Sequence, residues 1–96
     1  MKILVVEDEH KIANSIKRGL EVQHYAVDVA YDGDTGGSMA LNETYDLIIL
    51  DRMLPGVDGL TILQRVRDRG LHTPVLFLTA KDKVLDRAAG LNAGAD

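Results

Sequence analysis

The chain has 96 residues and a formal net charge of −4, with 46% hydrophobic and 27% charged residues. This length suits one small domain and not a multidomain enzyme, and the absence of cysteine excludes disulfides, thiolate catalysis and cysteine-ligated metals. The excess of acids argues against a nucleic-acid surface, and no apolar run approaches the roughly 20 residues that span a bilayer. The first apolar run meets an acid at Glu7 and is too short for a secretory signal, so we expect a cytoplasmic protein without membrane contacts.

Four short apolar runs predict β-strands over residues 3–6, 26–31, 47–50 and 75–78. Three of these runs are unbroken and rich in Ile, Val and Leu, which is typical of parallel strands buried on both faces. The run over residues 26–31 instead alternates Val27, Val29 and Tyr31 with small or acidic residues, which predicts an edge strand with one wetter face.

Helical patterns connect these strands. An apolar stripe recurs every four residues after residue 11, and a second stripe over residues 60–66 precedes Gly70, which predicts a helix that ends on a glycine cap. Two more helices are predicted over residues 34–42, in spite of Gly36 and Gly37, and over residues 82–93. The order β-α-β-α-β-α-β-α predicts a doubly wound α/β sheet with right-handed crossovers. Because residues 94–96 resemble a turn into a further strand, we expect residues 1–96 to form a C-terminally truncated domain.

Acidic and hydroxyl side chains follow the inner strands. Glu7 and Asp8 come after the first strand, Asp51 after the third and Thr79 after the fourth. Ligands of open parallel sheets bind beyond the carboxyl ends of the strands, so we expect these groups to share one rim. Clustered carboxylates repel one another, and a hard cation such as Mg²⁺ relieves the repulsion through oxygen ligands. One carboxylate can then attack phosphorus in line and form an aspartyl phosphate.

Each of these residues also has a purely structural interpretation. Glu7, Asp8 and Thr79 could cap the helices that follow them, and Asp51 could belong to a turn. Taken singly, the structural interpretation is the more common one, but acids at successive inner strand ends favour a shared site. No glycine-rich nucleotide-binding motif follows the first strand.

The chain resembles a response-regulator receiver domain, the phosphoacceptor part of bacterial two-component signalling, and in particular the OmpR/PhoB subfamily of transcriptional regulators. The matching segments are ILVVEDE at 3–9, YDLIILDRMLPGVDGL at 45–60, PVLFLTA at 74–80 and GLNAGAD at 90–96. The resemblance implies a flavodoxin-like parallel sheet with strand order 2-1-3-4, whose fifth strand and fifth helix would follow residue 96.

The resemblance also implies roles for individual residues. Asp51 would accept phosphate from a sensor histidine kinase, Thr79 would be the switch hydroxyl, and the backbone N–H of Ala80 would bind the phosphoryl group. The implied Mg²⁺ ligands are the side chains of Asp8 and Asp51, the backbone carbonyl of Met53 and, through water, Glu7. Such a domain assists its own phosphoryl transfer and dephosphorylation and is not a turnover enzyme.

The expected partners follow from the same resemblance. Output would be transcriptional, through a C-terminal DNA-binding domain that is absent from residues 1–96, and nothing in these residues is expected to contact DNA. The family's invariant lysine and switch aromatic belong to the fifth strand. Without that strand the fourth would present an apolar edge, so we expect low stability or self-association, including a homodimer. Alternative functions are a stand-alone receiver acting by protein–protein contact, a Mg²⁺-dependent phosphatase with an aspartyl nucleophile, and a pseudo-receiver whose acids only bind ions.

Overall fold

A computed structural model describes residues 1–78 of the chain as alternating strands and helices. The strands are β1 (Lys2–Val6), β2 (Ala26–Ala30), β3 (Leu47–Asp51) and β4 (Val75–Leu78), and the helices are α1 (His10–Val22), α2 (Gly33–Asn42) and α3 (Gly59–Asp68). The helix predicted over residues 82–93 and the turn predicted at 94–96 lie outside the described residues. No helix within residues 1–78 has the length and apolar character needed to cross a membrane.

The four strands form one parallel sheet in the order β2-β1-β3-β4, which confirms the predicted order. β1 lies between β2 and β3, with Val6 opposite both Ala30 and Leu50. The apolar residues of β1 are fully buried because both faces of the sheet are covered, as its unbroken apolar run predicts. β4 pairs with β3, and the expected self-association through its other edge stays a prediction.

Two apolar layers sandwich the sheet. On one face α2 and α3 pack against β1 and β3, and the largest fully buried side chains there are Leu4, Ile48, Leu50 and Ile62. On the other face Ile16 and Leu20 of α1 pack against a smaller cluster formed by Ile3, Val5, Val27 and Ile49. The helices on opposite faces make the fold doubly wound, so the ends of β1 and β3 meet at one central edge.

β2 occupies the predicted edge position, but its side chains do not alternate cleanly between core and solvent. It ends at Ala30 instead of Tyr31, and Asp28 and Val29 are both half-buried. Asp28 is shielded because the Tyr45 hydroxyl donates a hydrogen bond to its Oδ2 at 2.8 Å. A contact from the segment before β3 therefore covers part of the face that the alternation predicted to be wetter.

Helix α2 forms in spite of Gly36 and Gly37, and the packing of the helix requires a glycine at the first of these positions. Glycine costs about 1 kcal/mol relative to alanine in a helix interior. A Cβ on Gly36 would lie 2.5 Å from Cγ1 of Val6, whereas one on Gly37 would make an ordinary contact of 3.6 Å with Ile62. The absence of a side chain at Gly36 lets α2 lie directly over the end of β1.

Helices α1 and α3 both end in a left-handed residue, but only one of them is glycine. Gly70 follows α3 with φ 78°, which confirms the predicted glycine cap, and its N–H donates to the carbonyl of Arg67 at 2.9 Å. The equivalent residue after α1 is His24, with φ 68° and an N–H that donates to the carbonyl of Glu21 at 2.9 Å. A residue with a Cβ is strained in this conformation.

We predict that His24→Gly stabilises the domain. Relief of left-handed strain outweighs the extra entropy of glycine in the unfolded chain, giving a net gain of about 0.5 kcal/mol in the free energy of unfolding. Urea denaturation followed by circular dichroism measures the difference. The control His24→Ala retains the Cβ and should unfold at the original midpoint, and a lower midpoint for His24→Gly would contradict the assignment of strain.

Candidate functional site

Three carboxylates meet at the C-terminal edge of the sheet. Glu7 and Asp8 directly follow β1, and one oxygen from each of these residues and from Asp51 all lie within 4.8 Å of one another. The register brings them together, because Val6 and Leu50 are partners in the β1–β3 pairing and the acids come next in each chain segment. The structure thus unites the three acids that the sequence placed at one rim.

Asp51 differs from its sequence prediction in one respect. It is the last residue of β3, opposite Leu78 of β4, and not the first residue after the strand. Its backbone is therefore held by the sheet.

Two of the three acids of the cluster, Glu7 and Asp51, are buried and accept backbone hydrogen bonds. Glu7 and Asp51 are only 1% and 3% exposed, and they are the two buried charged residues within residues 1–78. Oε2 of Glu7 accepts a hydrogen bond from the Glu9 N–H at 2.9 Å, and Oδ1 of Asp51 accepts one from the Met53 N–H at 3.1 Å. Oδ1 of Asp8 and Oδ2 of Asp51 are also hidden from solvent. Burial of charge is costly, and the backbone N–H groups offset part of that cost.

The structure does not support the interpretation of Glu7 and Asp8 as helix caps. The residue that precedes α1 is Glu9, and its side chain makes no capping hydrogen bond. Glu7 instead bonds the N–H of Glu9, outside the helix. The turn interpretation of Asp51 is correct in part, because its carboxylate accepts the N–H of Met53 two residues on.

Aspartate side chains do cap the other two helices, α2 and α3, unlike Glu7 and Asp8 at α1. Asp32 accepts the N–H of Thr35 at 2.7 Å at the start of α2, and Asp58 accepts the N–H of Thr61 at 2.8 Å at the start of α3. These hydrogen bonds hold the pKa of both Asp32 and Asp58 below its usual range. Asp58 is exposed and Asp32 is half-buried, whereas Glu7 and Asp51 are buried at the sheet edge.

The loop after Asp51 depends on a glycine that the sequence argument did not single out for the site. The N–H of Gly59 donates to the carbonyl of Arg52 at 3.1 Å, and a Cβ on Gly59 would overlap the carbonyl oxygen of Asp51. In the sequence, the Asp58-Gly59 pair indicates a turn, but it does not indicate that Gly59 lies against the backbone of Asp51. Met53 lies in this loop and is 77% exposed.

The donor set suits a hard divalent cation. Carboxylate oxygens at this spacing repel one another, and Mg²⁺ prefers such oxygens together with carbonyl groups and waters. The side chains of Asp8 and Asp51 both belong to this cluster, and the residues present fit the predicted ion. Thr79 and Ala80 lie outside the described residues, so their expected roles stay predictions.

Comparison with known proteins identifies relatives of the whole described fold. A family model described as the response regulator receiver domain matches residues 3–96. The transcriptional regulatory protein DltR of Streptococcus agalactiae is 51% identical over 96 residues, which cover 100% of this chain and 43% of that protein. DltR and similar relatives are OmpR/PhoB-type regulators, and this chain spans less than half of DltR.

Solved structures agree with this similarity. The receiver domain of the Francisella response regulator 1452 is 36% identical with a TM-score of 0.82, covering 99% of this chain and 78% of that one. The response regulator protein TrrA of Thermotoga maritima, solved in complex with Mg²⁺-BeF, is 33% identical with a TM-score of 0.77, covering 84% of this chain and 70% of that one. These similarities confirm the predicted flavodoxin-like fold of a receiver domain.

We predict that Mg²⁺ stabilises the chain through the acidic cluster. Mutual repulsion of the carboxylates destabilises the metal-free fold, so Asp8→Asn should raise the melting temperature without Mg²⁺ and abolish the further rise that Mg²⁺ produces. For the unchanged chain, Mg²⁺ at about 100 times its Kd should contribute about 2.7 kcal/mol. Differential scanning calorimetry with and without chelator measures both effects.

The matched control for charge is Asp68→Asn, which neutralises an exposed acid at the end of α3. It should retain the full Mg²⁺ effect. An undiminished Mg²⁺ effect in Asp8→Asn would contradict a metal site formed by this cluster.

Proposed function

The chain belongs to the response regulator receiver domain family, and we propose that Asp51 is the residue on which it accepts a phosphoryl group. It is a receiver domain of a two-component response regulator homologous to transcriptional regulators. The observation that carries the proposal is the convergence of Glu7, Asp8 and Asp51 within 4.8 Å at the end of the sheet. Such a cluster can bind a cation and the phosphoryl oxygens that the cation attracts.

Asp51 is the member of the cluster best placed to act as nucleophile. The pairing of β3 with β4 holds its backbone, and the Met53 N–H fixes Oδ1. A nucleophile held in one orientation avoids much of the entropic cost of reaching an in-line geometry. Glu7 is anchored in the same way, because its Oε2 accepts a hydrogen bond from the Glu9 N–H.

The proposed Mg²⁺ ligands are the side chains of Asp8 and Asp51 and the backbone carbonyl of Met53, with Glu7 acting through water. When bound, Mg²⁺ neutralises the carboxylates and the charge of the transferred group. The donor chemistry of the cluster and the Mg²⁺-BeF complex of TrrA support this assignment. Asp8 belongs to the cluster of three carboxylates, and Met53 lies in the loop after Asp51, where its N–H donates to Oδ1 of Asp51.

The remaining parts of the proposal concern residues and partners outside the described structure. Thr79 is the proposed switch hydroxyl, and the Ala80 N–H is the proposed second contact to the phosphoryl group. A sensor histidine kinase is the proposed donor. Transcriptional output through a DNA-binding domain is proposed from relatives such as DltR, of which this chain covers 43%.

We predict that the chain takes up one stable phosphoryl group per molecule from a small phosphodonor. Uptake requires Mg²⁺, because the transferred charge is otherwise repelled by the acidic cluster, and it is lost in Asp51→Asn. Intact-protein mass spectrometry measures the stoichiometry with and without chelator. Asp68→Asn is the control and should be phosphorylated normally.

Two results would contradict the proposed function. Undiminished phosphorylation of Asp51→Asn would place the acceptor elsewhere. Continuous release of inorganic phosphate over many turnovers, without a retained phosphoryl group, would instead favour a phosphatase.

We also predict that the phosphorylated chain loses its phosphoryl group slowly because of Met53. The exposed side chain of Met53 is apolar and cannot orient a water molecule toward the phosphoryl group. Met53→Asn supplies an amide at that position and should accelerate phosphate loss about tenfold by positioning water.

The decay of phosphorylated protein after donor removal measures this rate. Leu60→Asn, which adds an amide to an exposed apolar residue at the start of α3, should leave the rate unchanged. An unchanged rate in Met53→Asn would contradict the role given to its side chain.

A further inference from the structure

The loop between β3 and α3, residues 52–58, is braced by the first turn of α2. This loop carries Met53, whose N–H holds Oδ1 of Asp51. We propose that Gly33, the first residue of α2, is a positioning residue of the site that sets the distance between this loop and the acidic cluster. The inference rests on the proposed function, since it concerns the binding of Mg²⁺ and phosphate at Asp51.

The contact between Gly33 and the loop joins two backbones. The Gly33 N–H donates to the carbonyl of Pro55 at 3.1 Å. A Cβ on Gly33 would overlap the carbonyl oxygen of Val57 and lie 2.6 Å from its carbonyl carbon. Gly33 does not adopt a left-handed conformation, so the glycine is required for space alone. Because backbone atoms cannot rotate away as a side chain can, any larger residue must push the loop and α2 apart.

Asp34, which follows Gly33 in α2, lies close to Gly56 of the same loop. Gly56 has φ 79°, and a Cβ on it would lie 2.5 Å from Oδ2 of Asp34. The first turn of α2 thus approaches Pro55, Gly56 and Val57 in succession. Close contacts at three consecutive loop residues restrict the position of the loop more than a single hydrogen bond would.

Helix α2 is itself fixed with respect to the acids on β1. Asp32 caps the helix through the N–H and the hydroxyl of Thr35, at 2.7 and 3.1 Å. One turn later, Gly36 lies over Val6, the residue immediately before Glu7. The helix therefore contacts both the strand that precedes Glu7 and the loop that follows Asp51.

This arrangement makes the position of the loop relative to the acidic cluster depend on Gly33. A methyl group at Gly33 would displace the loop and with it the N–H and carbonyl of Met53. Groups that orient metal ligands typically change metal affinity by about 10-fold to 100-fold when they are altered. We therefore expect Gly33→Ala to weaken Mg²⁺ binding about tenfold or more, with α2 still helical.

The experiment compares Gly33→Ala with Gly37→Ala. Both replace a buried glycine of α2 by alanine, but a Cβ on Gly37 makes only a 3.6 Å contact with Ile62. Titration calorimetry measures the Kd for Mg²⁺, and amide hydrogen exchange of Met53 in the metal-free protein measures the loop directly. We expect a raised Kd and about tenfold faster exchange in Gly33→Ala, with both values within about twofold of the unchanged chain in Gly37→Ala.

The inference is overturned if Gly33→Ala is folded and keeps both the Mg²⁺ Kd and the Met53 exchange rate within about twofold of the unchanged chain. If Gly33→Ala does not fold, Asp32→Ala replaces it, because loss of the cap releases the first turn of α2. Asp32→Asn is then the control, since asparagine retains the cap while removing the charge. Equal Mg²⁺ affinity in these two variants would overturn the inference.

Failure of the proposed function has a different signature. If the unchanged chain takes no phosphoryl group on Asp51, the proposed function is wrong, whatever the variants do. The exchange rate of Met53 and the Mg²⁺ Kd still decide the positioning role of Gly33, because neither measurement requires phosphorylation.

Discussion

Parallel pairing of β1 with β3 is the constraint on which the site depends. Because Val6 lies opposite Leu50, the next residues along each strand, Glu7 and Asp51, emerge side by side. The apolar residues of both strands are buried in layers on the two sides of the sheet, so a shift in register would move apolar side chains to the wrong face. The hydrophobic core thus holds together carboxylates that repel one another.

The remaining elements limit how the charged edge can relax. The N–H groups of Glu9 and Met53 satisfy one oxygen of Glu7 and one of Asp51. Two glycines allow close contacts between backbone segments around the loop after Asp51. Gly33 at the start of α2 lies against Val57, and Gly59 at the start of α3 lies against Asp51. A small domain buries a limited fraction of its surface, so holding like charges together leaves it sensitive to metal binding.

The strands and the acidic rim could be predicted because both depend on local pattern. An unbroken run such as residues 47–50 predicts a strand buried on both faces, and the order of strands and helices restricts the topology. The acids at residues 7, 8 and 51 then follow from the position of the strand ends. The inclusion of Asp51 within β3 was missed because pairing with Leu78 of β4, and not residue type, extends that strand.

Other features depend on contacts between distant segments and have no local signal. Gly33 in the sequence looks like a turn residue, and its role is visible only when Val57 is placed against it. The shielding of Asp28 requires the hydroxyl of Tyr45, which is 17 residues away in the chain. His24 has the left-handed conformation that favours glycine. A histidine in the sequence gives no signal of that conformation.

The most direct test of the central claim is the chemical identification of the phosphorylated residue. Borohydride reduces an aspartyl phosphate to homoserine, and tandem mass spectrometry of the digested protein locates the altered residue. We expect homoserine at position 51 alone, and only when phosphorylation is carried out with Mg²⁺. Homoserine at position 8, or a phosphoryl group that resists borohydride and stays on a hydroxyl side chain, would contradict the account.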